Sequence, residues 1–315
     1  MIIFPFLMHA LFAVVFPVCR KAVLYADPIF FNAVRMLLCG LLLLIYLRKT
    51  GRTVRRPTSF SAVVHFFMFA FFGIFLTNVF ECWALKFLPV AKASFIYQAS
   101  PFFAALLAYV AFGEAMTSKK FMGMLVAFAG FLVMTIHHAP LEVQNAGFSF
   151  LSGAELALLS AAITSVFGYV ALRRLVRDHA YSSVEANGIS MVLGGLMALI
   201  ASPFFESFKP LPVYEFGPFV FTLVLTILFA NVAGYVFYGY LLKFYTTTFL
   251  SFAGFSELIS AALTGYFFLG EPLAWPFYVS TALVLTGLYM FYIEELRQGY
   301  VLSMRQRPVT TTQCS

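Results

Sequence analysis

The sequence predicts an all-α integral membrane protein. Of its 315 residues, 62% are hydrophobic and 10% are charged, whereas a soluble domain is typically about half apolar and about a quarter charged. The apolar residues form long continuous runs, and about 20 apolar residues cross the hydrocarbon core of a bilayer as a helix. The strands of a membrane barrel would instead show about ten residues of alternating polarity. Composition and run length therefore both indicate transmembrane helices.

Apolar runs separated by short polar breaks predict ten helices, which we number as spans in chain order. The first run is interpreted as a membrane span and not as a cleaved signal peptide, because no basic residue precedes it. The breaks are short, so consecutive spans are expected to pack antiparallel. The predicted spans are 3–22, 29–47, 60–82, 92–112, 120–137, 150–172, 185–203, 217–240, 248–269 and 274–293.

The basic residues predict the orientation of the chain. Fourteen Lys and Arg residues fall on one side of the membrane if the chain starts in the cytoplasm, and five fall on the other. An excess of Lys and Arg marks the cytoplasmic face, so both termini are expected there, with residues 294–315 as a cytoplasmic tail. The net charge of +7 is thereby assigned to orientation and not to a nucleic-acid partner. A bacterial inner or plasma membrane is the expected location.

The chain contains an internal repeat. The stretch "ALLAYVAFGE" at 105–114 shares Ala, Leu, Tyr, Gly and Glu with "ALTGYFFLGE" at 262–271, and the offset between them is 157 residues. Further matches follow in the same order, and they predict a first five-span repeat at 1–146 and a second at 147–293. Because each half holds an odd number of spans, the second half is expected to lie inverted in the membrane. Inverted repeats are typical of secondary transporters.

The Gly-Glu pairs at the ends of the fourth and ninth spans are interpreted as a motif of the fold and of a gate. Glycine permits a left-handed helix cap, and the glutamate is expected to leave the hydrocarbon at the interface. The residues of this predicted gate and fold motif are Pro101, Gly113, Glu114, Gly270 and Glu271.

Residues 84–133, with Pro101, the run to Gly113-Glu114, and a following helix carrying Gly123 and Gly130, resemble the latter part of an EamA-type repeat. That repeat is the building block of the ten-helix drug/metabolite transporter superfamily. The resemblance implies a central cavity lined largely by the third, fourth, eighth and ninth spans. Leu258 stands where the first half has Pro101, which leaves open whether the ninth span bends as the fourth does.

Polar residues within the spans are the candidates for a binding site, because a charge at mid-membrane costs about 2.5–3.5 kcal/mol on insertion scales. Glu257 lies near the middle of the ninth span and is interpreted as a cation partner, a proton carrier or both. Arg35 could hold a substrate carboxylate, or it could neutralise Glu257 or Glu81. The ten predicted substrate-binding residues are Arg35, Asn78, Glu81, Tyr97, Gln98, Asn231, Tyr235, Tyr238, Phe255 and Glu257.

These features predict a secondary transporter of a small organic metabolite that works by alternating access. Aromatic walls and Glu257 would suit a planar or cationic substrate, and Arg35 would suit a carboxylate. A zwitterionic or cationic amino-acid-like or nucleoside-like metabolite such as S-adenosylmethionine is the hypothesis. The alternatives are a drug or amino-acid exporter of the same fold and a membrane-embedded enzyme. The sequence shows no HExxH, GxSxG or paired-Asp metal motif, so an enzyme, a metal site and a cofactor are not expected, and no homo-oligomer is indicated.

Overall fold

A computed structural model describes residues 3–13, 15–52, 54–55, 57, 59–88, 90–138, 152–208, 211–264 and 275–300. The described residues are almost entirely helical. They contain no strand apart from one isolated bridge between Ala26 and Val213. The predicted all-α fold is therefore confirmed.

The helices fall at the predicted spans. Those of the first half are Ile3–Phe12, Val15–Tyr25, Pro28–Lys49, Phe60–Met68, the π-helix Phe69–Leu76, Thr77–Ala84, Val90–Tyr97, Ser100–Phe112 and Ser118–His138. Those of the second half are Gly153–Arg177, Ser183–Phe205, Phe216–Thr226, the π-helix Ile227–Tyr235, Val236–Leu241, Thr247–Ala253, the 3₁₀ turn Gly254–Ser256, Glu257–Thr264 and Trp275–Arg297.

Eight of the described helices are long and apolar enough to cross a membrane, which confirms a multi-pass membrane protein. They correspond to the predicted spans one to four, six to eight and ten. The helix Ser118–His138 lies at the fifth predicted span, and helices within 247–264 lie at the ninth. Helix is thus found at all ten positions, while ten crossings stay a prediction.

Close helix contacts join equivalent spans of the two halves. An added Cβ at Gly123 of the fifth span would lie 2.8 Å from the carbonyl oxygen of Gly287 in the tenth. An added Cβ at Gly40 of the second span would lie 2.8 Å from the backbone nitrogen of Val192 in the seventh. Small residues let helix backbones approach within a membrane, where packing replaces the hydrophobic effect as the driving force.

Two arginines, which we call the arginine clamps, make the same interaction in each half. Arg20 lies in the helix Val15–Tyr25 of the first span and Arg177 ends the helix Gly153–Arg177 of the sixth, and the offset between them is the 157 residues of the sequence repeat. Each donates to two backbone carbonyls that lie 65 and 68 residues further along the chain. The acceptors are the carbonyl oxygens of Leu85 and Leu88 for Arg20, and of Leu242 and Tyr245 for Arg177.

Four spans depart from regular α-helix at corresponding positions. The π-helices Phe69–Leu76 and Ile227–Tyr235 lie in the third and eighth spans. The fourth span is interrupted between Tyr97 and Ser100, and the ninth has a 3₁₀ turn at Gly254–Ser256. The ninth span therefore breaks where the fourth does, although its second piece begins without a proline. Irregular backbone at membrane depth is tolerated where it lines a cavity.

The gate and fold motif is only partly as predicted. Gly113 has φ 67° and caps the fourth span in the left-handed conformation. Glu114, however, does not leave the protein at the interface. It is buried and lies 2.5 Å from Arg173 of the sixth span, whose guanidinium covers the ring of Phe112 at 4.0 Å. A cation on the neighbouring span thus replaces water as its partner. Pro101 lies in the first turn after the break, whereas Gly270 and Glu271 lie outside the described residues.

Candidate functional site

A cavity lies between the two halves, and it encloses about 690 Å³ of unfilled space, part of which is open to solvent. Six spans contribute to its wall. The third, fourth, eighth and ninth were implied by the family resemblance, and the first and sixth contribute as well. The predicted site residues that line it are Asn78, Glu81, Tyr97, Gln98, Tyr235, Tyr238 and Glu257.

The cavity lies where equivalent positions of the two halves meet. Asn78 donates from Nδ2 to the hydroxyl of Tyr235 at 3.0 Å, and the two residues are 157 positions apart. Gln98 of the fourth span donates to the carbonyl of Gly254 in the ninth at 3.2 Å. Residues within or directly beside the broken and π-helical segments therefore meet at the cavity, and π-helical segments are frequent at functional sites.

Glu257 is paired with His9 of the first span. The Oε1 atom of Glu257 lies 2.7 Å from Nδ1 of His9, and Nε2 of His9 lies 2.7 Å from the carbonyl oxygen of Leu250. His9 is 6% exposed, and both residues line the cavity. The carboxylate predicted to be functional is therefore at the cavity, and its partner is a histidine and not Arg35.

Arg35 is buried behind the cavity wall and does not line it. Its Nη2 donates to the side-chain oxygens of Asn32 and Asn78, and its Nη1 contacts the sulfur of Cys19 at 3.3 Å. Its Nε has no hydrogen-bond partner. Among the described residues Arg35 forms no ion pair, so the interpretation that it neutralises Glu257 or Glu81 through contact is wrong. Asn78 accepts a hydrogen bond from this guanidinium and also lines the cavity, so its side chain lies between the two.

Aromatic rings form one side of the cavity. Tyr169 of the sixth span stacks on Tyr238 of the eighth with ring centroids 4.0 Å apart, and Tyr235 lies beside them. Phe12 of the first span meets Tyr235 edge to face at 6.1 Å. Tyr97 packs in the same way against Phe16 at 5.6 Å. Such faces suit a planar or cationic group.

Besides Arg35, two predicted site residues do not line the cavity. Phe255 is fully buried and packs against Phe131 and Phe252. Asn231 is fully buried, and its Nδ2 lies 2.9 Å from the sulfur of Met36. Helix rotation directs both side chains towards neighbouring spans.

Sequence reasoning missed several wall residues of the first, sixth and ninth spans. His9 was the strongest available signal, because it is an isolated ionisable group within an apolar run. Phe12 and Tyr169 could have been found from the repeat offset, since they occupy equivalent positions. The missed residues that carry the site are His9, Phe12, Phe16, Ser165, Tyr169 and Ser251.

The model of the EamA-like transporter family matches residues 1–136 and 152–293. The chain belongs to the EamA-like transporter family. The two matches cover nearly all ten predicted spans, and each lies within one predicted repeat. This chain is accordingly a membrane transporter.

Similar proteins cover the whole membrane region. A protein of Chlamydia muridarum named "S-adenosylmethionine/S-adenosylhomocysteine transporter" is 33% identical over 292 residues, which are 91% of this chain and 90% of that protein. A protein of Chlamydia trachomatis with the same name is 32% identical over 91% of this chain and 88% of its own length. "WAT1-related protein At3g02690, chloroplastic" of Arabidopsis thaliana is 28% identical over 88% of this chain and 66% of its own length.

A solved crystal structure has the same fold. It superposes with a TM-score of 0.69 at 17% identity, and the match covers 92% of this chain and 95% of that chain. At this identity the likeness concerns the helical arrangement alone.

Proposed function

We propose that this transporter carries S-adenosylmethionine and S-adenosylhomocysteine across the membrane by alternating access. The observation that carries the proposal is the similarity, at 33% identity and over 91% of the chain, to a protein named for these two substrates. A similarity over 91% of the chain extends through both halves and is not confined to one of them.

The chemistry of the cavity supports this substrate class. S-adenosylmethionine has a sulfonium cation, a planar adenine base and an amino acid end with both charges. Glu81 and Glu257 provide carboxylates at the cavity for the cationic groups. The stacked rings of Tyr169 and Tyr238 provide flat faces beside them, and base–aromatic stacking is worth about 1–3 kcal/mol.

Arg35 is the proposed anchor for the substrate carboxylate. A buried cation without a carboxylate partner is costly, and here three neutral groups and one bare Nε surround it. Rotation of the Asn78 amide would open the guanidinium to the cavity, where a carboxylate can bind bidentately. Arg35 would then bind the carboxylate of the ligand, and Glu257 would bind a cationic group of the same ligand.

Alternating access would use the two halves as exchanging partners. Two similar halves, inverted in the membrane, give inward-open and outward-open states of similar energy. The repeated arginine clamps and the contact between Asn78 and Tyr235 support this arrangement. We place both termini in the cytoplasm on the basis of the basic residues.

The test is exchange in proteoliposomes loaded with S-adenosylhomocysteine. External labelled S-adenosylmethionine is expected to enter faster than into unloaded vesicles. Glu257→Gln removes a charged partner worth about 1.5–3 kcal/mol, so uptake should fall by at least about tenfold. Glu215→Gln, at an exposed position outside the spans, is the matched control and should transport normally.

Two outcomes would contradict the proposal. Uptake of Glu257→Gln equal to that of the unmodified protein would remove the role of this carboxylate. Entry of labelled phenylalanine or leucine, with no entry of S-adenosylmethionine, would instead identify an amino-acid carrier of the same fold.

A further inference from the structure

The hydrogen bonds of His9 determine how many protons the His9–Glu257 pair holds. The carbonyl oxygen of Leu250 only accepts, so Nε2 of His9, at 2.7 Å from it, carries a hydrogen. The other ring nitrogen, Nδ1, lies 2.7 Å from Oε1 of Glu257. Two lone pairs would repel at this distance, so one proton lies between the two atoms. Whether it resides on the imidazole or on the carboxyl, the pair is neutral.

The other ionisable groups around the cavity are one carboxyl group, one guanidinium group and four tyrosine hydroxyls. The carboxyl group belongs to Glu81 of the third span, and the guanidinium belongs to Arg35 of the second, behind Asn78. The remaining groups are the neutral hydroxyls of Tyr97, Tyr169, Tyr235 and Tyr238 on the fourth, sixth and eighth spans. A ligand that brings a net charge into this buried site must be compensated there, because an uncompensated charge within the membrane is costly.

The two proposed substrates differ by one charge. The sulfonium of S-adenosylmethionine is a cation, whereas the thioether of S-adenosylhomocysteine is neutral, and their amino acid ends are the same. Loss of the proton between His9 and Glu257 would leave the pair with one negative charge. The pair can therefore match either substrate by giving up or keeping one proton.

We propose that S-adenosylmethionine displaces the proton shared by His9 and Glu257, and that S-adenosylhomocysteine leaves it in place. The proton passes to the water on the side to which the cavity is open, and the sulfonium takes its place at the carboxylate. Exchange then moves S-adenosylmethionine one way, and S-adenosylhomocysteine with one proton the other way, without net charge. This inference rests on the proposed function.

The experiment measures protons released on binding to the purified full-length chain in weakly buffered detergent, with a pH-indicator dye. About one proton should appear per S-adenosylmethionine bound, and about none per S-adenosylhomocysteine. As the pH rises, the Kd of S-adenosylmethionine should fall about tenfold per pH unit over the range in which the pair holds its proton. The Kd of S-adenosylhomocysteine should stay constant over the same range.

Two variants assign the proton. Glu257→Gln imitates the protonated carboxyl, so it should keep its affinity for S-adenosylhomocysteine within about threefold and lose at least about tenfold for S-adenosylmethionine. His9→Gln removes the imidazole base and should shift the pH midpoint of S-adenosylmethionine binding by about one unit or more. His65→Gln, which alters a histidine bonded to Ser61 outside the cavity, is the control and should leave the curve unchanged.

Several results would overturn the inference. These are binding of S-adenosylmethionine without proton release, equal release with both substrates, equal loss of both affinities in Glu257→Gln, and an unchanged midpoint in His9→Gln. Failure of both nucleosides to bind would refute the proposed function, and trimethylsulfonium then serves as the probe. Its binding with release of a proton supports the proton-exchanging cation site, whereas no release or no binding overturns it.

Discussion

The third and eighth spans have the same backbone and different side chains. Both contain a π-helix, at Phe69–Leu76 and Ile227–Tyr235, and both end at carbonyls that an arginine clamp holds. At the cavity, however, the position of Glu81 in the third span corresponds to Tyr238 in the eighth. One half thus presents a carboxyl group where the other presents an aromatic ring.

The difference separates interactions of the scaffold from interactions of the site. Contacts to backbone atoms, such as those of Arg20 and Arg177, occur in both halves because both must fold in the same way. Side chains at the cavity face one ligand that is itself asymmetric, so repetition there would serve no purpose. Substitutions at the clamps, at the cavity and at one unrepeated contact test this separation.

The largest effect is expected from breaking a clamp. Arg177→Met leaves the buried carbonyls of Leu242 and Tyr245 without this donor, and each unsatisfied buried group costs about 1–3 kcal/mol. The free energy of unfolding should therefore fall by about 2–6 kcal/mol. Thermal unfolding in detergent measures it, and Arg20→Met should give a loss of the same order.

The control for the clamps is Arg297→Met. Arg297 is largely exposed and lies 3.6 Å from Glu294, and exposed pairs of this kind contribute about 0–1 kcal/mol. If only one of the two clamp variants had a lower free energy of unfolding than this control, the clamps would not stabilise the two halves equally.

A smaller and selective effect is expected at the diverged cavity positions. Glu81→Gln removes a charge near a cationic ligand, so the Kd of S-adenosylmethionine should rise about five- to tenfold with little change in unfolding. Tyr238→Phe keeps the ring that stacks on Tyr169 and should change the Kd by less than about threefold. Isothermal titration calorimetry measures both Kd values. If Glu81→Gln and Tyr238→Phe changed the Kd of S-adenosylmethionine equally, the two halves would not differ in their roles as carboxylate and stacking surface.

The smallest effect concerns a contact that the repeat does not duplicate. The positions 157 residues away from its two members hold Pro57 and Val184, which cannot form the same hydrogen bond. Tyr214 donates to Asp27 at 2.8 Å, and this bond raises the pKa of Tyr214 to about 12. The raised pKa means that the stabilisation is complete below the ordinary tyrosine pKa of about 10 and disappears as pH rises towards 12. Tyr214→Phe should remove this loss between about pH 10 and 12. The difference should stay below about 1 kcal/mol, because the side chain is exposed.

The contradicting result for Tyr214→Phe is a pH profile of unfolding that runs parallel to that of the unmodified protein throughout this range. In that case Asp27 would be satisfied by Lys86 alone, which lies 2.7 Å from the same carboxylate oxygen.

The sequence by itself determined the all-helical membrane fold, the positions of the helices and the 157-residue offset, because hydropathy and repetition are local or pairwise properties of the chain. It also identified Glu257, since a charge within an apolar run is conspicuous. Helix periodicity indicated which residues share a face. It did not indicate which face meets the cavity, and Asn231 and Phe255 were therefore misplaced.

Only the tertiary structure decided which side chains the buried ionisable groups contact. His9 and Glu257 are 248 residues apart, and no local pattern connects the first span with the ninth. Arg35 was expected beside a carboxylate, and packing instead placed Asn32, Asn78 and Cys19 around it. Charge complementarity in a sequence allows many pairings. The rotation and depth of each helix, which the whole bundle sets, select the one that forms.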